Sequence, residues 1–590
     1  PEFQTTYGMS DNGTFSWGEK LSSKAPNYAK KFFRTGFTTN NSISLSGGNE
    51  NIQSYFSYAN VYSQGITPQN DYRSHNLNSK VGFNILKDIH IDFTAKFTNQ
   101  HITNQAAAGY LWNPLTGVYL FPRGEDWNGY KENFEVYDPA RGCYVQNWTN
   151  TQQQQFGNPY WMLNRQTPIT DRNRYEFGGS IKWNITPDLN IQGRMRYERG
   201  EEHWVHNAYA SSVGNLYPMG RMKDNRYFSD QLYGDVLVSY NHTFNDFSLS
   251  ATAGSSFTKT KTSHVDLWGE GSQFSQPGSG NIFYPNIFTP NNYYGNMSTV
   301  GKDDNWMTQK RLNSVFATAQ LGYREGIFLD ISARNDWSST LANTESMKNG
   351  FFYPSVGLTW IMSNSIKLPE WINFSKFRGS FAQVGNDLPI GITNLADIIQ
   401  CGGSIQTNDI EQRGDLKPEI STSIEFGTEW KFFNNRFGID FTWYRTDTKN
   451  QLLRVANPAG SLYAFRYINA GKIRNTGIEL TLEGTPLMNE NFRWKTAVNM
   501  SMNRNKVVSL HKDYKSFRYG SEGFSMAYDM WVKEGGKLGD IYGNGFERDE
   551  NGKIKLNETG NPIKVTGNNT LLGNANPDAL FGWSNNFTYK

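Results

Sequence analysis

Apolar and polar residues alternate along most of this chain. Within residues 88–97, Ile89, Ile91, Phe93, Ala95 and Phe97 are apolar, and Asp88, His90, Asp92, Thr94 and Lys96 between them are polar. A period of two sends the two sets to opposite faces of a β-strand. Residues 188–198 repeat it, with Leu189, Ile191, Met195 and Tyr197 opposite Asn190, Gln192, Arg194, Arg196 and Glu198. Residues 327–337, 437–444 and 478–483 follow suit. Seventeen such runs, each of roughly ten to fourteen residues, are legible along the sequence.

The links between runs alternate in length. Tight turns are predicted at 48–51, 86–88, 185–187, 245–246, 324–326, 434–435 and 486–491, and a longer one at 363–373. Between them lie larger loops at 63–74, 100–172, 200–229, 263–310, 338–352, 385–418, 448–471 and 504–578. Short turns on one side and long loops on the other are the signature of an outer-membrane β-barrel. A soluble antiparallel sheet with one buried face alternates in the same way. Three features weigh against it. The runs are long enough for the ~9–11 residues that a tilted membrane strand needs. Their polar face is rich in charge. Aromatics gather at strand ends, as at Tyr55, Phe56, Tyr58 and Tyr62 or at Trp430, Phe432 and Phe433, where interfacial girdles belong. The expected fold is therefore all-β, a transmembrane antiparallel β-barrel.

Length and composition sharpen this. The 590 residues contain no linker or charge block that would divide them, which favours one large sheet. No apolar run of about 18 residues occurs, so helical spans are excluded, while a barrel is compatible with low mean hydropathy because only alternate residues meet lipid. Aromatics reach 15%, fitting interfaces and sugar-binding surfaces. A net charge of +3 gives no reason to expect nucleic acid. The two cysteines, Cys143 and Cys401, both fall in predicted external loops, leaving open a disulfide or two separate thiols.

Catalytic constellations are missing from the sequence: no HExxH, GxSxG or P-loop occurs. His203 and His206 have a ligand-like spacing but no further clear ligand, so no metal or cofactor is expected. Residues 549–552, Asp-Glu-Asn-Gly, read as a hairpin turn rather than a calcium loop. Asp224, Asp303 and Asp304 read as solvated loop charge. The 100–172 loop is richer, interleaving Trp112, Trp127, Tyr130, Trp148, Tyr160 and Trp161 with Asn, Gln, Asp and Arg. Large ring faces beside short polar groups stack on sugars or hold a peptide backbone, so these six are the candidate substrate contacts. The plainer alternative is that they pack the loop. Residues 283–294 form a second aromatic loop with the same two readings.

Strand parity makes the segment before the first short turn descend from outside, so one strand is expected before Pro1. Residues 1–40 would then be a first external loop region and 41–590 a partial barrel.

The chain resembles the SusC/RagA family of TonB-dependent outer-membrane transporters of Bacteroidota. The resemblance rests on segments in order along the chain: Arg34-Thr-Gly-Phe-Thr-Thr-Asn-Asn-Ser-Ile-Ser-Leu-Ser-Gly-Gly48, Asn113-Pro-Leu-Thr-Gly117, Ala333-Arg-Asn-Asp-Trp-Ser338, Phe377-Arg-Gly-Ser-Phe-Ala-Gln-Val-Gly-Asn386, Leu416-Lys-Pro-Glu419, Asn469-Ala-Gly-Lys-Ile-Arg-Asn-Thr-Gly-Ile-Glu-Leu480 and Leu572-Gly-Asn-Ala-Asn-Pro-Asp578. It implies a barrel of 22 strands, with the plug and TonB box before Pro1 and the last strands after Lys590. It implies import without catalysis, a SusD-like surface lipoprotein as lid, and the TonB–ExbB–ExbD complex as energy source. Glycan oligosaccharides are the first expectation for cargo, and oligopeptides the second. A passive porin or surface adhesin is the alternative from another class.

Overall fold

The computed structural model describes residues 28–105, 112–121, 125–148, 157–212, 217–270, 283–294, 300–301, 306–393, 398–401, 404–407, 410–411, 413–458, 460–511, 514–520 and 528–589. Asp303 and Asp304 lie outside them. The wall strands belong to an 18-stranded antiparallel sheet, one member of which is the two-residue Val300–Gly301. The other seventeen are long, and each pairs with its neighbours in sequence. No helix among the described residues is long and apolar enough to cross a membrane.

The chain divides into two units, residues 1–182, 194–234 and 259–309, and residues 183–193, 235–258 and 310–590. In the first unit, strands Phe37–Gly48, Ile52–Gln64, Asp71–Leu86 and Ile89–Thr103 pair in order. Gln166–Asn184 follows, joined by Lys96 to Glu176 at 2.8 Å and by Asn99 to Asn173 at 2.8 Å. In the second, Trp306–Tyr323, Ile327–Ser338, Phe351–Ile361 and Ile372–Asn386 lead into Glu419–Phe432, Phe437–Lys449, Lys472–Met488, Phe492–Ser509 and Leu580–Tyr589.

The short turns have local causes. The Asn49 side chain accepts from the N–H groups of Asn51 and Ile52, and Asn489 does the same for Asn491 and Phe492. Such a side chain mimics a backbone turn and closes the link in few residues. The strand before Asn489 runs through Pro486 to Met488, with a register shift between Gly484 and Leu487, so this turn is tighter than the expected 486–491. The turn at 549–552 forms as read. Asp549 accepts from the N–H groups of Asn551 and Lys553, and Gly552 takes a φ of 78°.

Register separates the faces. On one, Phe93 opposes Val81, Leu45 opposes Phe56, Phe426 opposes Trp443 and Val498 opposes Trp583. Most of these side chains are exposed, Phe93 at 56% and Leu45 at 65%, while Val81 and Trp443 are half-buried. A band of bare aliphatic and aromatic groups on every second residue is a lipid-facing surface, since water-soluble chains cover such areas. The other face carries ion pairs: Lys80 with Asp92 at 3.3 Å, Lys376 with Glu429 at 2.6 Å and Arg378 with Asp440 at 2.7 Å. At the short-turn ends, Trp371 stacks on Phe432 and Phe433, Phe432 stacks on Trp430 and Phe437, and Phe377 meets Trp430 edge-on, all at 5.7–6.1 Å. This is the aromatic girdle. Tyr55 is not part of one. It opposes Lys80 on the polar face, because adjacent residues of a strand cannot both meet lipid.

The strands are longer than the sequence pattern suggested. Arg221–Phe244 and Phe247–Glu270 each run 24 residues, well past the span of a membrane. Beyond the lipid, alternation ends and cross-strand polar pairs take over. Asp224, expected in a loop, lies on the first of these strands and faces His203 at 3.0 Å and Arg226 at 3.4 Å. The compact apolar packing of the chain lies in the long loops. One cluster joins Tyr28, Phe32, Phe121, Trp127 and Trp148, and another joins Leu341, Phe351, Leu388, Ile392 and Leu416.

Candidate functional site

The loop between Thr103 and Gln166 builds itself from capped turns. Asn113, Asp126 and Asn158 each accept from a backbone N–H at the start of Pro114–Leu120, Trp127–Glu132 and Pro159–Arg165. Asn158 is fully buried. Its amide donates to the carbonyls of Tyr130 and Asn147, both at 2.9 Å, and its N–H donates to Gln146 Oε1 at 3.1 Å. The backbone N–H of Gln146 in turn donates to Ser211 Oγ at 2.8 Å. A buried polar node satisfied at every arm fixes the loop in one arrangement.

Around that node the predicted rings separate into three groups. Trp127, Tyr130, Trp148 and Tyr160 pack together with Tyr28, Phe32 and Phe121, at centroid distances from 5.0 Å for Tyr28–Trp127 to 6.4 Å for Trp127–Trp148. Burial raises the Tyr130 and Tyr160 phenols above their ordinary value, and Glu125 and Asp126 push Tyr130 the same way. Trp161 is fully buried elsewhere, edge-on to Tyr209 at 6.3 Å and donating to Ser212 Oγ at 3.1 Å. With exposures of 4%, 8% and 0%, Trp127, Trp148 and Trp161 present no free ring face for a ligand in this conformation. In the 283–294 loop, Tyr293 is buried against Phe283 and Phe288, each at 5.2 Å, while Tyr284 is exposed. Cys143 is a free, buried thiol; the Cys401 side chain lies outside the described residues.

Trp112 forms the third group. It stacks on Tyr217 at 5.2 Å and meets the His206 ring edge-on at 4.8 Å. His206 packs at 5.5 Å against Trp204, so it joins an aromatic patch rather than His203, which turns to Asp224. The Arg221 guanidinium lies over Tyr217 at 5.1 Å and over Trp268 at 5.4 Å. Lys223 lies over Trp204 at 5.6 Å and pairs with Asp266 at 3.3 Å. Burial raises the Tyr217 phenol, with Arg221 working against it.

This patch sits on the polar face of the wall. Glu202, Trp204 and His206 continue the even-numbered set of Asn190, Gln192, Arg194, Arg196 and Glu198, on the strand Leu189–Ala208. Glu202, Trp204, Asn225, Tyr227 and His264 line a cleft of about 290 Å³ there. Arg172 holds Glu202 at 2.6 Å. Asn225 Oδ1 is buried with no hydrogen-bond partner. Ring faces beside an acid, an amide and an imidazole can stack on and hydrogen-bond a polar ligand. Sequence reading missed Trp204, Tyr227, His264 and Trp268 because it ended these strands early. Continuing the even parity from Asn190 to His206 would have found Trp204.

The inner face and the lipid-facing band together describe a membrane wall with a polar interior. Residues 135–544 match the family described as TonB dependent receptor-like, beta-barrel. The chain belongs to that family. It is therefore an outer-membrane β-barrel protein. TonB-dependent receptor P3 of Formosa agariphila is 22% identical over 95% of this chain and 56% of its own length. TonB-dependent receptor SusC of Bacteroides thetaiotaomicron is 22% identical over 97% of this chain and 58% of its own. The chain thus spans somewhat more than half the length of these curated relatives. Among solved structures, the RagAB peptide transporter superposes with a TM-score of 0.73 at 16% identity, over 96% of this chain and 62% of the other. The RagAB peptide importer in a closed state gives 0.74 over 99% and 64%. That likeness establishes a shared TonB-dependent receptor fold.

Proposed function

We propose that this receptor barrel is the wall of an energised importer of large polar nutrients, with oligosaccharides as the cargo. The observation that carries this reading is the Trp204–Tyr227 cleft on the inner face, above the lipid-facing band. In the reading, a SusD-like lipoprotein lid delivers the ligand, the cleft rings stack on a sugar face, and Glu202, Asn225 and His264 meet its hydroxyls. TonB, with ExbB and ExbD, supplies the energy that opens the path. In this reading the ligand passes through chemically unchanged. The packed rings Trp127, Tyr130, Trp148, Tyr160 and Trp161 act as the frame of the cap, and Trp112 ties that frame to the cleft through His206.

An oligopeptide cargo is the second reading, favoured by the superposition on a transporter named for peptides. The deciding experiment is native mass spectrometry of the full-length protein, extracted with any bound lipoprotein, against paired panels of oligosaccharides and oligopeptides. Retained sugars support the first reading. Retained peptides with no sugar transfer the cleft to the second, and retention of neither removes the cleft as a cargo site.

A further inference from the structure

We infer that the outer face of strands Phe437–Lys449, Lys472–Met488 and Phe492–Ser509 carries a binding site for a phosphorylated lipid headgroup of the outer leaflet. The register aligns a sharp change of chemistry across the three strands. At one level, Trp443, Ile478 and Met502 are side by side, continuing the apolar band below. One step toward the long loops the row is Arg445, Thr476 and Arg504, and the next is Asp447, Arg474 and Lys506. Lys449 opposite Lys472 closes it. Six cations thus face one carboxylate immediately above lipid-facing side chains.

Asp447 organises three of them. It holds Arg474 at 2.7 Å, Arg445 at 3.1 Å and Lys472 at 3.3 Å, which fixes their heads in place and neutralises one charge. Lys449, Arg504 and Lys506 are exposed. The Arg445 and Arg504 row adjoins the hydrocarbon boundary, and the two rows beyond it continue through headgroup level, where cationic side chains meet phosphates. A guanidinium fork matches phosphate oxygens in two parallel hydrogen bonds, and lysines add point charge. Charge and height together select a membrane-anchored phosphate.

The test uses the purified full-length protein and native mass spectrometry, with diphosphoryl lipid A and the same lipid enzymatically dephosphorylated. Wild-type protein is expected to retain the diphosphoryl form and not the dephosphorylated one. The variant Lys449→Gln/Arg504→Gln/Lys506→Gln is expected to bind roughly 100-fold more weakly. The charge-keeping Lys449→Arg/Arg504→Lys/Lys506→Arg should retain most of the affinity. Heat-dependent gel mobility reports whether each variant is folded. Equal retention of both lipids by the wild type overturns the proposal without recourse to any variant, as does undiminished binding by the folded glutamine variant.

Discussion

The Lys223 ammonium lies 5.6 Å over the ring of Trp204 while reaching Asp266 at 3.3 Å. One face of the indole is thereby held by a cation that is itself tethered, and the ring borders the cleft in a set orientation. If cargo stacks there, Trp204→Ala or Tyr227→Ala lowers affinity for the retained oligosaccharide by roughly tenfold. Calorimetry on the full-length protein reads this directly. Unchanged affinity in both variants sends the cleft back to a structural role.

Trp127 contacts Tyr28, Phe32, Phe121, Trp148 and Tyr160 and is almost fully buried. Trp127→Ala removes the centre of that cluster and is expected to destabilise the cap locally by about 3–5 kcal/mol. Amide exchange over residues 114–148 should accelerate while the wall strands stay protected. Acceleration throughout the wall would show that cap and wall unfold as one unit.

Asn158→Ala strips donors from the carbonyls of Tyr130 and Asn147 and leaves both buried groups without this partner. A cost of about 1–3 kcal/mol follows. Asn158→Asp is expected to be no milder, since a carboxylate cannot donate to either carbonyl. The check is again local exchange, read at Tyr130 and Tyr160; parity of both variants with wild type would contradict the node.

Ile91 opposes Phe83, and Phe441 opposes Leu480, on the lipid-facing side. Phe441→Arg should weaken the barrel by roughly 2–4 kcal/mol, and Ile91→Arg, two residues from its short turn, by less. Refolding into bilayers across a urea series measures this. Tolerance at both positions would mean that the lipid and lumen faces are exchanged.

Much of the wall was readable because its physics is local. Each strand must present alternate residues to lipid and water, so Ile89, Ile91 and Phe93 announce themselves without knowledge of their neighbours. The short turns were readable for the same reason: an Asn at position 49 or 489 closes its own turn. The outer ends of the strands were not, because beyond the membrane no apolar alternation is required and cross-strand pairs such as His203–Asp224 hold them together instead.

The candidate site shows the same divide more sharply. Composition alone marked the 100–172 loop as aromatic, but a tryptophan has the same letter whether it stacks on a sugar or on another ring. The sequence by itself determined the strands, their faces and the alternation of turns and loops, through period and turn chemistry. Only the tertiary structure decided that Trp127 and Trp148 meet edge-on inside a loop core, and that Trp204, Tyr227 and His264 meet on one inner surface. Those meetings depend on the register between strands and on loop closure, which bring together residues far apart in the chain.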